Sequence, residues 1–218
     1  MSEGVIAVIG GTGNLGAAIA RRLAKAGRKV IIGSRSAQSA AKAAAEVGFG
    51  VSGLANADAA AAGSIVIVTV PFAAQEATLT DIAPHVAGKI VVDTTVPLVP
   101  PKVMRVQLPP EGSAAQRAQK LLGAGVTVVS AFHNVAAHKL ATDQQIECDV
   151  LVFGDDKNAR AEVASLVKLT GLRPVQGGSL ANSAAAEALT SVLIFINKTY
   201  QVDGAGVLIT GSLVDPER

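Results

Sequence analysis

The sequence predicts an α/β protein with a Rossmann-type, doubly wound and mostly parallel sheet, extended by a small C-terminal α/β region. Short β-branched runs alternate with amphipathic or alanine-rich segments along most of the chain, as expected for strands that helices cover on both faces. The first run, residues 5–9, leads directly into glycines that open a helix. Half of the 218 residues are hydrophobic, so the chain can build a large core.

Three glycines follow the first strand. Gly11, Gly13 and Gly16 have the spacing G-x-G-x-x-G. We expect Gly11 to make a tight turn with unusual dihedral angles, Gly13 to let a pyrophosphate approach the backbone, and Gly16 to let helix and strand pack closely. The N–H groups at the start of a helix over residues 14–26 would then face the phosphates. This context predicts a dinucleotide site; the alternative is a glycine-rich turn without a ligand.

The second predicted strand, residues 29–33, ends without the carboxylate that binds the ribose hydroxyls of NAD. Ser34 and Arg35 follow instead. A hydroxyl and a guanidinium fork suit the 2′-phosphate of NADP, whereas the alternative is that Arg35 is a solvated residue before a helix over 37–46. The position favours NADP.

The middle of the chain continues the alternation. Residues 48–53 predict a loop with at most a short strand, and Asn56 is the expected N-cap of a helix through residue 62. The β-branched run 65–70 predicts a parallel strand covered on both faces. Pro71 cannot donate to a ladder and therefore marks the carboxyl edge of the sheet, where ligands bind in open α/β folds.

A long proline-rich segment, residues 94–112, cannot form regular structure because it contains five prolines. It leaves the carboxyl end of a strand, so we expect it to be a wall or lid over the cofactor. The elements predicted around it are a helix over 73–83, a strand over 89–93, a helix from Ser113 as N-cap to residue 122, and a strand over 126–130.

The C-terminal part predicts a last helix over residues 180–200 that is apolar on nearly every side between residues 189 and 196. It must be buried, either in the core or against another subunit. We place an NADP-binding domain at 1–125 and a smaller region that completes the sheet and the second-substrate cleft at 126–218. That region has a short helix before residue 140, a strand over 149–153, a helix over 157–169 capped by Asp155 and Asp156, and a strand over 172–176.

Composition excludes several classes of partner. The net charge is +2 and the basic residues are scattered, which argues against nucleic acid or a membrane surface. Cys148 is the only cysteine, so no internal disulfide forms and a reducing compartment is indicated. No leader segment and no run long enough to cross a bilayer is evident. We expect a cytoplasmic protein that acts on small molecules.

Few residues are candidates for acid–base chemistry. No nucleophile triad, metal-ligand cluster or carboxylate pair stands out, and Tyr200 lacks the lysine that short-chain dehydrogenases require four positions later. His133 follows the strand over 126–130 at the carboxyl edge, where it either lines the pocket or is structural. Hydride transfer between two bound rings needs mainly alignment, so the scarcity of acids favours a reaction between two cofactors.

Several motifs together resemble the F420H2:NADP oxidoreductases, also called NADPH-dependent F420 reductases, and the similarity spans almost the whole chain. The motifs are Gly10-Gly-Thr-Gly-Asn-Leu-Gly16, Gly33-Ser-Arg35, Pro97-Leu-Val-Pro100, Ser130-Ala-Phe-His133, Val152-Phe-Gly-Asp-Asp156, Gly171-Leu-Arg-Pro174, Ser179-Leu-Ala-Asn-Ser183 and Glu187-Ala-Leu-Thr190.

The apolar helix over residues 180–200 predicts a homodimer or higher oligomer, and no metal is expected because no ligand cluster stands out. The resemblance implies a hydride transferred directly between NADP(H) and coenzyme F420 or a flavin-like ring. It places His133 in the role of shaping the acceptor site, with Asn134 and Val207 nearby and Gly206 beside a C-terminal contact. The residues that it assigns to NADP are Gly11, Thr12, Gly13, Asn14, Leu15 and Gly16 at the pyrophosphate, Ser34 and Arg35 at the 2′-phosphate, and Val70, Pro71, Val99 and Ala137 along the nicotinamide half.

The sequence departs from the family pattern mainly on the acceptor side. Phe72-Ala-Ala stands where the family has a tryptophan and a nearby histidine, Asn134-Val-Ala136 stands for Thr-Ile-Pro, and Ser39 replaces a lysine that assists Arg35. Two other readings therefore stay open at this point. The chain could reduce another small acceptor, such as an imine, a metal or a quinone, or it could be a non-catalytic NADP(H)-binding redox sensor.

Overall fold

A computed structural model describes residues 4–214, which form one eight-stranded sheet with helices on both faces. The strands are β1 (Ile6–Ile9), β2 (Val30–Ser34), β3 (Ser52–Ala55), β4 (Ile65–Val68), β5 (Ile90–Asp93), β6 (Thr127–Ser130), β7 (Asp149–Gly154) and β8 (Arg173–Gly178). The helices are α1 (Asn14–Lys25), α2 (Ala37–Val47), α3 (Asn56–Ala62), α4 (Phe72–Ile82), α5 (Ala114–Leu122), α6 (Ala137–Leu140), α7 (Lys157–Leu169) and α8 (Ser183–Tyr200).

The strand order is β3-β2-β1-β4-β5-β6-β7-β8, and every neighbouring pair is parallel except β6 and β7. This confirms the predicted Rossmann-type, mostly parallel sheet. Because β7 runs against β6, its first residue lies at the edge where β1, β4, β5 and β6 end. The carboxyl edge therefore collects residues from both halves of the chain.

Two hydrophobic clusters cover the two faces of the sheet, because alternate residues of each strand point to opposite sides. One cluster includes Ile19 and Leu23 of α1 and Val163 of α7. The other includes Leu79 of α4 and Ala118 of α5. The central strands β1 and β4 are buried on both faces, as their β-branched runs predict, whereas the edge strands β3 and β8 are only partly buried.

Three local predictions need correction or refinement. Asn56 is not a helix cap, because Ala55 occupies the N-cap position and the Asn56 side chain is buried. Residues 52–55 form a strand that pairs with β2. The sequence predicted a loop with at most a short strand here, because β-propensity does not include the stabilisation that a neighbouring strand provides. Asp156 caps α7 by accepting the Ala159 N–H at 2.7 Å, whereas Asp155 accepts the Leu180 N–H at 3.0 Å instead.

The proline-rich segment, residues 94–112, contains no helix or strand, as predicted. Its start is fixed to the sheet, where the Thr94 hydroxyl donates to the Val68 carbonyl at 3.0 Å. Its middle lies on α8, where the Ser191 hydroxyl donates to the Arg105 carbonyl at 3.4 Å. The segment thus connects the carboxyl edge of the sheet to the last helix.

Helix α8 is only partly buried within one chain. Ser183, Glu187 and Ser191 lie one turn apart on its packed side, while Val192 and Phe195 are 43% and 51% exposed. Complete burial in the core of a single chain is therefore wrong, and the alternative of another subunit remains. Within residues 4–214, the stretch Leu180–Tyr200 is long and apolar enough to cross a membrane by length and composition, which corrects the expectation that no run is.

Candidate cofactor and acceptor site

The turn after β1 is built by glycines, though not with the predicted assignment. The left-handed residue is Gly10, with φ of +78°, and not Gly11. Gly11 is required for a different reason, because a Cβ there would lie 2.8 Å from the Ile32 side chain and 2.9 Å from the Val8 carbonyl oxygen. The tight turn is thus shifted by one residue relative to the motif, and Gly11 provides the space that lets the turn lie on β2.

The roles of the other two glycines agree with the motif. A Cβ at Gly16 would lie 2.4 Å from the Thr69 hydroxyl oxygen and 2.8 Å from the Gly11 Cα, so glycine allows α1 to pack directly on the turn. A Cβ at Gly13 would meet only the Gly10 carbonyl oxygen, at 3.4 Å. The other side of Gly13 is open, as the approach of a phosphate requires.

The start of α1 presents its backbone donors to this opening. Gly13 is the N-cap and makes no side-chain cap, and the first turn carries no acidic residue. The first hydrogen bond of the helix runs from the Ala17 N–H to the Gly13 carbonyl at 2.9 Å, so the preceding amides have no partner within the helix. Such a helix start attracts an anion through its free N–H groups and its dipole.

Ser34 and Arg35 lie at the carboxyl end of β2, next to this turn. Ser34 is half-buried and ends the strand, and the Gly33 carbonyl accepts the N–H groups of both Gly10 and Gly11 at 3.0 and 3.2 Å. Arg35 is exposed and makes no hydrogen bond or ion pair among residues 4–214. A free guanidinium at the end of the strand next to the phosphate-binding turn can pair with a second phosphate on the same nucleotide.

A groove of about 490 Å³ runs beside the start of α1. It brings Thr12 and Asn14 of the glycine turn next to Ala137 at the start of α6, although more than 120 residues separate them in sequence. The structure thus joins the predicted pyrophosphate residues to one of the residues assigned to the nicotinamide half. The groove is also lined by Ala17, Ala18, Arg21, Ala43, Glu46, Val47, His138 and Ala141.

The remaining nicotinamide-side residues lie at the carboxyl edge of β4 and β5. Val70 is half-buried, and its Cγ1 would be 2.7 Å from a Cβ at Gly10, so it lies directly beside the glycine turn. Pro71 is the N-cap of α4 and is exposed. Val99 lies on the proline-rich segment and is 43% exposed.

His133 follows β6 at the same edge, and its side chain is buried. Its ring centroid is 6.5 Å from that of Phe153, and neither ring nitrogen has a hydrogen-bond partner within the described residues. Burial lowers the pKa of His133 to about 4, so the ring is neutral at neutral pH. The preceding Phe132 has φ of +66°, a strained conformation for a bulky residue.

Asn134 connects this edge to α8. Its side-chain N–H groups donate to the Ala186 carbonyl at 2.9 Å and to the Thr190 hydroxyl at 3.1 Å. The Thr190 hydroxyl in turn donates to the His133 carbonyl at 3.0 Å. The backbone of residues 133–134 is therefore held by the last helix, and the Asn134 amide nitrogen is already engaged in this support.

Val207 belongs to the C-terminal segment that follows α8, which we call the tail (residues 204–209). Val207 is half-buried, and its carbonyl accepts the Asp149 N–H at 2.7 Å. Since Asp149 starts β7, the tail lies at the carboxyl edge of the sheet. It reaches this edge from the opposite end of the sequence.

A buried acidic cluster beside the site was not predicted. Asp93 is completely buried and accepts from the Gln75 amide at 2.6 Å and from the Thr95 N–H at 2.9 Å. Glu187 is 1% exposed and accepts the N–H groups of Ala114 and Ala115, at 2.6 and 3.1 Å. The only sequence signal is an acid that ends a β-branched run and an acid inside an apolar helix.

The two carboxyl groups share a low-dielectric environment. Burial raises the pKa of Asp93, although hydrogen bonds from Thr95 and Gln75 oppose the shift. Burial likewise raises the pKa of Glu187 to about 7, opposed by the two backbone N–H groups and assisted by the charge of Asp93. The cluster therefore holds protons at pH values where exposed carboxyl groups are ionised. Within residues 4–214 no group of three metal-ligating side chains occurs.

Comparisons with known proteins agree with this geometry. Residues 5–97 match the family model described as NADP oxidoreductase, coenzyme F420-dependent. The F420-dependent NADP reductase of Methanothermobacter thermautotrophicus is 40% identical over 94% of this chain and 94% of its own length. That of Methanocaldococcus jannaschii is 39% identical over 94% and 97%. A crystal structure of a candidate F420-dependent NADP reductase from Arthrobacter sp. FB24 has a TM-score of 0.81 at 30% identity and covers 94% of this chain and 99% of that one.

Proposed function

Because the chain belongs to the family of F420-dependent NADP reductases, we propose that it is an oxidoreductase that transfers a hydride directly between NADP(H) and coenzyme F420. The observation that carries this function is that the relatives match over nearly their whole length, so the similarity covers the acceptor side as well as the NADP side. The use of another small acceptor and a role as a redox sensor are not favoured.

The residues of this chain have simple tasks in such a reaction. The free amides at the start of α1 bind the pyrophosphate, and Arg35 with Ser34 binds the 2′-phosphate. Val70 and Ala137 flank the nicotinamide half, and neutral His133 shapes the acceptor side. When both co-substrates are bound, a hydride passes between their rings, and the chain contributes proximity and orientation in place of a covalent step.

Deuterium transfer tests this function. Purified protein given NADPH deuterated at C4 and oxidised F420 should bleach the absorbance of both, and the label should appear in the deazaflavin ring because no exchangeable intermediate intervenes. Mass spectrometry of the product F420 measures the label. The rate should also fall with the deuterated substrate if hydride transfer limits turnover.

A substitution at His133 tests whether this residue contributes to F420 binding. His133→Phe keeps a ring of similar size but removes the nitrogens, so we expect the KM for F420 to rise by roughly tenfold while NADPH affinity stays unchanged. The control is His85→Ala, since His85 is exposed after α4. Bound NADPH that never reduces F420 would refute the function, and reduction of an imine, a metal or a quinone instead would favour those acceptors.

We also propose that the protein is a homodimer that packs through α8. The exposed apolar side chains of Val192 and Phe195 lie next to the proline-rich segment, since Ser191 bonds to Arg105 on that segment. Met104 and Val106 on that segment are also exposed, at 38% and 45%. A second copy of the same face can bury this apolar surface symmetrically.

Phe195→Lys should convert the dimer into a monomer at micromolar concentration, because it places a charge in the centre of an apolar interface. Sedimentation equilibrium measures the mass. Leu121→Lys is the matched control, since Leu121 is a partly exposed apolar residue on α5. A wild-type monomer would contradict the dimer, and co-sedimentation of wild-type protein with lipid vesicles would assign this face to a membrane instead.

The compartment, the partners and the domain division of the protein are also proposed. We propose that the protein acts in the cytoplasm without a nucleic-acid partner, which the balanced charge and the single buried Cys148 support. The division into an NADP-binding domain at 1–125 and a smaller region at 126–218 is also a proposal. One sheet continues through that boundary, because β5 pairs with β6.

A further inference from the structure

An ion pair at the end of the sheet fixes the tail. Asp149 is 1% exposed, and its two carboxylate oxygens accept from Arg173 Nε at 2.6 Å and from a terminal Arg173 nitrogen at 2.7 Å. The second oxygen also accepts the Ile209 N–H at 2.6 Å, and Arg173 donates to the Ile209 carbonyl at 2.9 Å. Both polar backbone groups of Ile209 are therefore held by one bidentate pair, in which Asp149 is buried and the Arg173 side chain is half exposed.

The tail has no helix or strand of its own to keep it in place. Its backbone is also held by the bond from the Asp149 N–H to the Val207 carbonyl, at 2.7 Å, by the bond from the Ala205 N–H to the Asn197 side chain, also at 2.7 Å, and by the bond from the Lys139 ammonium to the Gly204 carbonyl, at 3.4 Å. Arg173 keeps the Asp149 carboxylate ionised, since its guanidinium lowers the pKa of that group. Charge-assisted hydrogen bonds of this kind are the strong ones.

The tail packs closely against the residues that follow β6. A Cβ at Gly204 would lie 2.6 Å from the Ala136 Cβ, and a Cβ at Gly206 would lie 2.7 Å from the Cys148 sulfur. That sulfur contacts the Asn134 carbonyl at 3.5 Å. The tail thus packs against the back of residues 134–138, the segment that joins His133 to the groove beside α1.

We propose that Asp149 and Arg173 are positioning residues for the acceptor half of the site: by holding Ile209 they set the tail, and the tail sets Asn134, Ala136 and Val207 for the incoming F420. This inference rests on the proposed function, because it assigns the tail to the F420 side. The residues assigned to the two phosphate groups of NADP, Gly11 to Gly16 with Ser34 and Arg35, make no hydrogen bond to the tail within residues 4–214, so the pair should influence the binding of F420 more than that of NADPH.

Two variants remove the contact in different ways. Asp149→Asn weakens the pair. Ile209→Pro deletes the N–H that Asp149 accepts and keeps the Asp149 charge, while its ring also replaces the isoleucine side chain and fixes φ at residue 209. We expect each to raise the KM for F420 at least about tenfold, with NADPH affinity unchanged within about twofold. Amide hydrogen exchange at residues 205–210 should quicken in parallel, because the tail loses its anchor.

Matched controls separate positioning from general damage. Ile209→Ala removes the side chain but keeps the N–H, so it should change the KM for F420 less than about threefold. Glu76→Gln removes an acid from the exposed ion pair with Arg117 and should change neither readout. Ile209→Pro keeps the test valid if Asp149→Asn does not fold.

The outcomes distinguish this inference from the function on which it rests. Faster exchange with an unchanged KM for F420 would overturn the positioning role and leave the function intact. Unchanged exchange in both variants would overturn the claim that the pair holds the tail. Wild-type protein that transfers no deuterium to F420 would overturn the proposed function and this inference together, whatever the exchange rates.

Discussion

Arg35→Ala should bind NADPH about 10- to 100-fold more weakly than the wild-type protein, while its affinity for NADH stays the same. Arg35 is exposed and unpaired among the described residues, so it is free to form charge-assisted hydrogen bonds with the 2′-phosphate, each worth about 1.5–3 kcal/mol. NADH lacks that phosphate, so the wild-type protein should prefer NADPH by a similar factor. Fluorescence titration of the reduced nicotinamide measures both constants.

The matched control is Lys29→Ala. Lys29 is an exposed cation immediately before the same strand, at the edge of the sheet away from Arg35, and its loss should leave both affinities unchanged. Arg35→Lys should recover only part of the preference, because an ammonium keeps the charge but not the fork. If the wild-type protein had equal dissociation constants for NADPH and NADH, the assignment of the 2′-phosphate to Arg35 would be wrong.

Glu187→Gln should gain about 3 kcal/mol of unfolding free energy relative to the wild-type protein between pH 4.5 and pH 7.5. Burial raises the pKa of Glu187 from 4.5 to about 7. In that window the unfolded chain has released the proton and the native state has kept it, so wild-type stability falls as pH rises and then levels above pH 7. Glutamine does not titrate and escapes this loss.

Two other buried groups also make the unfolding free energy depend on pH. Asp93 faces Glu187 and has a raised pKa, so it acts in the same direction in both proteins. His133 acts in the opposite direction, because its pKa falls from 6.5 to about 4 and its contribution to stability is lost as pH falls through this range. The contribution of Glu187 is therefore read from the difference between wild type and Glu187→Gln, in which the contributions common to both proteins cancel.

Urea unfolding followed by circular dichroism measures these free energies, since the chain has no tryptophan to report by fluorescence. A difference between Glu187→Gln and wild type that does not change with pH would show that Glu187 is ionised in the native protein at pH 5 to 7.

The sequence predicted the features that depend on neighbours along the chain. The alternation of β-branched runs with helices predicted the parallel sheet, because strands buried on both faces need continuous apolar runs. The glycine spacing predicted the turn, and Ser113 and Asp156 marked two helix starts that the structure confirms. Ser34 and Arg35 could be placed at a strand end for the same reason, since position along one strand is a local property.

The tertiary structure decided what depends on distant partners. The pairing of Asp93 with Gln75, of Glu187 with the start of α5, and of Asp149 with Arg173 and Ile209 joins residues 18 to 73 positions apart, and no spacing rule links them. The sequence also did not predict which side of α8 is exposed, because an apolar composition does not say which side of a helix contacts the core. Burial and charge pairing are set by three-dimensional neighbours, and only the assembled sheet supplies those neighbours.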